Sequence, residues 1–305
     1  MSFKDGSPWF IAGQGAIGSF CAANLERAGI PYKIIARVKN SSNVIFNWQD
    51  NAYRLAKPQT LDQSTQITNL LVPLKAYDIV PFIEQCMPYL SKNANVILCH
   101  NGMGTIDNAL KLLPANVQLY FCTTSNGAFK SGEQVSLAGL GDSYWSRIEP
   151  ENTSKAAIPN RLNNKDFSLL FHTAEQQNRL LDILWNKLLV NCVINPLTAT
   201  YNIKNGQLRQ PQYQNEINHI IEEFVQIAQQ ENINIDRQQA RCLVAKVIQS
   251  TATNTSSMLQ DIQNGRKTEV DFITGFLINV AAKHQINCPY NQGLYQNLIK
   301  LERNK

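Results

Sequence analysis

Residues 9–29 read WFIAGQGAIGSFCAANLERAG. An apolar run, Trp9 to Ala12, leads into Gly13, Gly15 and Gly18, and a helix-like pattern follows as far as Gly29. A G-x-G-x-x-G triplet set between a strand and a helix narrows the fold sharply, because it is the opening of a βαβ dinucleotide-binding unit. Gly13 permits the tight turn, Gly15 lets the backbone approach a pyrophosphate, and Gly18 lets the helix pack closely on the strand. Free N–H groups and the positive dipole at the helix start then hold phosphates. The candidate cofactor cradle is therefore Gly13, Gln14, Gly15, Ala16, Ile17 and Gly18, with a purely structural glycine loop as the alternative.

The next strand-like segment, Pro31 to Ala36, is followed by Arg37, with Lys39 nearby. Sites that prefer NAD place an Asp or Glu there, on the ribose hydroxyls, about 20 residues past the glycines. No carboxylate occurs between Glu26 and Asp50. Arg37 can instead grip a 2′-phosphate, so NADP(H) is the expected cofactor. An exposed arginine at a strand end is the plainer reading of the same residue.

Strand-like and helix-like segments alternate through the first half. Strands are expected at 8–12, 32–36, 67–72, 95–99 and 117–122, and helices at 16–29, 77–90 and 104–112. That alternation predicts a parallel sheet flanked by helices. Edge strands are expected near 134–137 and 143–147, and a polar loop over 150–166. From about 174 the pattern is helical: 175–195, 212–231, 236–252, 268–284 and 292–303. The fold class is α/β: an N-terminal Rossmann-type parallel-sheet domain over 1–173, then a C-terminal all-helical domain over 174–305. Ligands of such sheets sit beyond the carboxyl ends of the strands. Lys75, His100-Asn101-Gly102 and Ser125-Asn126-Gly127-Ala128 occupy those positions.

The stretch 185–199, WNKLLVNCVINPLTA, carries Lys187, Asn191 and Asn195 at four-residue steps within apolar surroundings. Residues four apart lie on one helix face. Burying an ammonium and two amides costs several kcal/mol unless each finds partners, so the stripe faces a ligand or forms a satisfied polar seam between helices.

With 305 residues and 44% hydrophobic content the chain can bury one large core or two smaller ones. The net charge of +5 is spread along the sequence. It lacks the clustered basic footprint of a nucleic-acid binder. Seven cysteines without C-x-x-C spacing point to reduced thiols in the cytoplasm and to no metal site. The N-terminal MSFKDGSPWF has no apolar signal-peptide core. No run of about 18 apolar residues is evident, so no membrane span is expected.

Six motifs in order, GQGAIG at the N-terminus, LKAYD at 74–78, HNGMGT at 100–105, WNKLLVNCVINPLTA at 185–199, NTSSMLQDI at 254–262 and TEVDFITGFL at 268–277, resemble the ketopantoate reductase (2-dehydropantoate 2-reductase) family over nearly the whole chain. The resemblance implies a Rossmann domain joined to a helical domain, with the active site in the cleft between them. It implies NADPH-dependent reduction of 2-dehydropantoate to (R)-pantoate, a step toward pantothenate and coenzyme A. By motif match Lys187 is the general acid. Asn101, Asn191, Asn195, Asn205, Asn254 and Ser257 hold substrate. Lys75, Asn101, the backbone at Ala128, and Glu269 contact the cofactor, with Glu269 closing over the substrate side too. The family's T-H-G-A motif reads Ser125-Asn126-Gly127-Ala128 here, which keeps the backbone contact and removes a histidine. The segment 140–170 matches poorly.

These residue types suit the chemistry. Hydride transfer to a 2-oxo acid places negative charge on the carbonyl oxygen, which an ammonium stabilises and then protonates. Amides both donate and accept, and Ser257 can bond a carboxylate. Each also has a plain reading: Ser256-Ser257 as a helix cap, Glu269 as a surface ion pair with Arg266 or Lys267, Asn101-Gly102 as a turn. The expected partner is a small 2-oxo acid, with no nucleic acid or membrane, for a monomer or homodimer. The competing functions are a sister NADP-dependent dehydrogenase for another 2-oxo or 2-hydroxy acid, and an NADP-binding sensor without turnover.

Overall fold

The computed structural model describes residues 6–35, 43–149 and 159–303. These fall into two compact units: the residues up to His100 with Thr105–Leu180, and Asn101–Gly104 with the residues from Leu181 onward.

The first unit runs β1 (Trp9–Ala12), α1 (Ala16–Arg27), β2 (Tyr32–Ile35), β3 (Ile45–Trp48), β4 (Asn51–Arg54), β5 (Ile67–Val72), α2 (Ala76–Cys86), β6 (Leu90–Leu98), α3 (Ile106–Leu112), β7 (Gln118–Thr124), β8 (Gly127–Ser131), β9 (Gln134–Gly139), β10 (Ser143–Ile148), α4 (Asn164–Phe171) and β11 (Glu175–Gln176). Seven strands form the main sheet in the order β11-β10-β7-β6-β5-β1-β2. From β2 to β7 every pairing is parallel, β10 adds antiparallel to β7, and the two-residue β11 pairs parallel with β10 at the edge. The apolar residues of β1, β5 and β6 explain this: strands covered on both faces are nearly continuously hydrophobic. The chain leaves β1 to one side for β2 and returns on the other side for β5, so the switch point lies at the carboxyl end of β1.

A second sheet, β4-β3-β9-β8, was not expected from the sequence. Its strands are short, and β4 is largely exposed, so hydrophobic alternation barely shows. Phe46 and Trp48 of β3 nonetheless pack on Phe20 of α1, with ring centroids 6.0 and 5.6 Å away.

Two further expectations are corrected. Residues 164–166, expected in the polar loop, instead open the helix Asn164–Phe171, because Asn163 and Asp166 form a capping box. Phe167 of that helix stacks on Trp145 at 4.1 Å and 6°. The helix expected from 175 starts at Leu180, because Glu175 and Gln176 pair with β10.

The second unit is helical: α5 (Leu180–Tyr201), which begins at the boundary, then α6 (Pro211–Gln230), α7 (Arg237–Ser250), α8 (Ser257–Gln263), α9 (Thr274–Lys283) and α10 (Pro289–Arg303). Its core joins Trp185, Leu188, Leu189, Cys192 and Val193 of α5 to Phe224, Val244, Leu277 and Leu298 of the surrounding helices. The absence of any span-length apolar segment also needs correcting. The 22-residue α5 is long and apolar enough to cross a membrane, although 61% of its most apolar window is buried inside the protein. That is the burial of a core helix.

Candidate active site

In the first unit the glycine turn takes the shape its residues permit. Gly13 has φ +69°, which an L side chain rarely adopts, and its N–H donates to Ile35 O at 3.0 Å. Gly15 is the N-cap of α1 and supplies no side-chain cap. A Cβ on Gly18 would lie 3.1 Å from Pro73 Cγ and 3.4 Å from Gly13 O, tighter than ordinary contact, so glycine eases the close approach of the helix to the turn and to the residue that follows β5. Gln14 Nε2 is buried with no hydrogen-bond partner among the described residues. An uncapped helix N-terminus, a side-chain-free cradle and an orphaned buried donor are what an incoming phosphate group would satisfy. The residues therefore fit a dinucleotide.

Lys75 is half-buried at the N-cap of α2, three residues past the end of β5. Ala128 lies half-buried in β8. Asn126, where the family often has histidine, is a buried structural hub. Its Nδ2 donates to Phe171 O at 2.8 Å, and its Oδ1 accepts from Gly141 N at 2.8 Å. Arg37 and Lys39 lie outside the described residues. His100 is tied to Thr105 Oγ1 at 2.7 Å and stands edge-on to Phe121.

In the second unit Lys187, Asn191 and Asn195 share one face of α5. Lys187 and Asn191 are half-buried, and Asn195 is 6% exposed. Pro196 follows within the helix and removes one backbone donor there.

The other expected substrate residues are bonded into the same neighbourhood. Asn205 N donates to Asn254 O at 3.1 Å, and Asn205 Nδ2 to Thr251 Oγ1 at 2.9 Å. Asn205 Oδ1 stays buried without a partner among the described residues. Ser256 and Ser257 divide their roles. Ser256 Oγ caps α8 by accepting from Leu259 N at 3.1 Å, while Ser257 begins the helix with an exposed side chain.

Glu269 is only 4% exposed, which is not the surface ion-pair setting that its basic neighbours allowed. It immediately precedes a 3-10 turn at Val270–Phe272. The Asn101–Gly104 segment docks on this turn. Met103 N donates to Phe272 O at 2.8 Å, and a Cβ on Gly102 would lie 2.6 Å from that same oxygen. Gly102, with φ +81°, is thus required for the approach that brings Asn101 beside the Glu269 turn. Thr198, which the sequence reading passed over, ties α5 to Ser256 at 2.7 Å. Its i+3 position from Asn195 was the available signal.

A switch-point cradle for a dinucleotide and a helical unit carrying a lysine–asparagine ladder define a two-unit pyridine-nucleotide oxidoreductase. The family profile described as "Ketopantoate reductase PanE/ApbA" matches residues 9–150, and its C-terminal counterpart matches 179–302. A 2-dehydropantoate 2-reductase from Vibrio cholerae is 33% identical over 297 residues, covering 96% of this chain and 97% of that one. The chain belongs to the ketopantoate reductase family. Two solved structures share its fold. A D-mandelate dehydrogenase with NADH and anilino(oxo)acetate has a TM-score of 0.86 at 22% identity, covering 98% of this chain and 99% of that one. A ketopantoate reductase from Ralstonia eutropha JMP134 has a TM-score of 0.84 at 21% identity, with the same coverage of 98% and 99%.

Proposed function

We propose that this protein reduces 2-dehydropantoate to (R)-pantoate with NADPH, with Lys187 as the general acid. The observation that carries this is the Lys187–Asn191–Asn195 face of α5, in a chain 33% identical along nearly its whole length to a 2-dehydropantoate 2-reductase. Gly13 to Gly18, Lys75, Asn101, Ala128 and Glu269 would hold the cofactor, with Arg37 on its 2′-phosphate. When bound, NADPH supplies the hydride to the substrate's carbonyl carbon.

The residues of the chain then do the rest. Lys187 Nζ points its charge at the carbonyl oxygen, stabilises the negative charge that grows there, and gives that oxygen a proton. Solvent returns a proton to the lysine. Asn191, Asn195, Asn205 and Asn254 fix the substrate by amide hydrogen bonds, and Ser257 bonds its carboxylate. Fixing the reacting atoms in this way removes part of the barrier as pre-paid orientation. A cytoplasmic setting fits seven free cysteines, six of them buried.

The test is ketopantoate-dependent loss of NADPH absorbance, run in parallel with NADH. Ketopantoate turnover that is faster with NADPH is the expected result. Turnover of another 2-oxo acid in preference would favour the sister dehydrogenase, and dinucleotide binding without any turnover would favour a sensor.

A further inference from the structure

Strand β8 holds a cation against the glycine turn. Lys130 Nζ donates to Gln14 O at 2.9 Å, across 116 residues of sequence. Ala128 and Lys130 are two residues apart on β8, so both side chains leave the same face of the strand. The contact is not an accident of a loose side chain. β8 is pinned to β9 through Lys130↔Val135 and Ala128↔Leu137. The Lys130 side chain is exposed overall, yet burial around its ammonium lowers its pKa, with Glu133 acting in the opposite direction.

An ammonium is out of place here on its own. The N-terminus of α1 already carries a partial positive charge and has no acidic residue in its first turn. A cation beside a helix N-terminus is repelled by the dipole, whereas an anion there is favoured. The arrangement becomes favourable when an anion lies against both. An ammonium has three donors. One is used on Gln14 O, so others can reach a phosphate oxygen without releasing the turn.

We propose that Lys130 is a ligand of the dinucleotide's diphosphate bridge, supplied by the β8–β9 hairpin to the glycine turn. This inference rests on the reading of residues 13–18 as a dinucleotide cradle. Lys130 thereby pairs with the anionic group common to NAD and NADP, whereas the 2′-phosphate is the business of residues after β2.

Isothermal titration of the whole chain with NADP+ and with NADH tests this without relying on turnover. Lys130→Met is expected to weaken both by about tenfold, the loss of one charge-assisted hydrogen bond. It should also flatten the dependence of affinity on salt, and Lys130→Arg should restore most of the binding. Equal affinities in wild type and Lys130→Met overturn the inference. So does weakening of NADP+ alone, which would move Lys130 to the 2′-phosphate. A lower melting temperature with an unchanged salt dependence would reduce Lys130 to a brace for the turn and overturn it as well. A wild-type chain that binds neither dinucleotide instead overturns the cradle reading underneath.

Discussion

The hydroxyls of Thr198 and Ser256 lie 2.7 Å apart, joining the helix that carries Lys187 to the cap of the helix that starts at Ser257. Thr198 is fully buried, and its Oγ1 is also 2.6 Å from Ile194 O and 3.2 Å from Asn195 O. Ser256 Oγ in turn holds Leu259 N. The backbone at Asn195 and the N-terminus of α8 are thus fixed to each other through two side chains. Thr198→Val keeps the shape and deletes the link. We expect a loss of about 1–3 kcal/mol for the disrupted buried pair, read by urea unfolding. KM for the 2-oxo acid should rise several-fold more than kcat falls, since the change moves Ser257, the proposed carboxylate ligand, and leaves the proposed proton donor in place.

Glu223 performs a comparable task at the start of α10. Its carboxylate, 7% exposed, accepts from Tyr290 N at 2.8 Å, Asn291 N at 3.0 Å and Asn291 Nδ2 at 2.7 Å. It caps α10 from α6, where its negative charge also opposes the positive end of that helix. Glu223→Gln turns one acceptor into a donor facing a donor. Unfolding free energy should drop by about 1–3 kcal/mol, while kcat and cofactor affinity hold. An unchanged denaturation midpoint would show that water satisfies the N-terminus of α10 equally well.

The parallel sheet was legible because β1, β5, β6 and β7 are buried and apolar, and because Gly13, Gly15 and Gly18 demand one local geometry. The second sheet was not: β4, Asn51–Arg54, has no buried residue, and the register of β3 against β9 depends on a partner 80-odd residues away. The site shows the same division. The Lys187–Asn191–Asn195 face follows from helical period alone. That Ser256 caps while Ser257 stays exposed depends on a tertiary bond to Thr198. The burial of Glu269 and the docking of Asn101–Gly104 at Phe272 are likewise tertiary, and no local pattern encodes them.

Glu231, at the end of α6, titrates in a defined direction. The hydrogen bond from His284, at 2.6 Å, and then that from Lys283, at 3.0 Å, hold its pKa below the ordinary 4.5. A lowered carboxylate pKa stabilises the fold fully above the unfolded value and loses that contribution as pH falls through the folded value. Melting temperatures of wild type and Glu231→Gln should therefore differ by a constant amount at neutral pH and converge only below pH 4.5. A gap that persists into stronger acid would show that the carboxylate charge is not its source.

Lys187→Ala tests the proposed proton donor apart from cofactor binding. Its effect should fall on turnover by at least ~100-fold, the low end for losing a general acid. Dissociation constants for NADPH should stay within a few-fold of wild type, because the glycine turn belongs to the other compact unit. Turnover that survives within a few-fold would remove Lys187 from the mechanism.

The buried and unpartnered Oδ1 of Asn205 bears on substrate choice. Its Nδ2 is already committed to Thr251, so the free acceptor seeks a donor, and a substrate hydroxyl is one. A site that must hydrogen-bond a hydroxyl rejects the analogue lacking it by about 10⁴-fold or more, because a buried polar group is left unpaired. 2-Oxoisovalerate is ketopantoate without its hydroxymethyl group. The unmodified protein should prefer ketopantoate by orders of magnitude in kcat/KM. Asn205→Ala should lower activity on ketopantoate and leave activity on 2-oxoisovalerate nearly unchanged, closing the gap from one side. If wild type reduces both acids equally well, no buried acceptor is reading a hydroxyl, and a dehydrogenase for a simpler 2-oxo acid becomes the better account of this site.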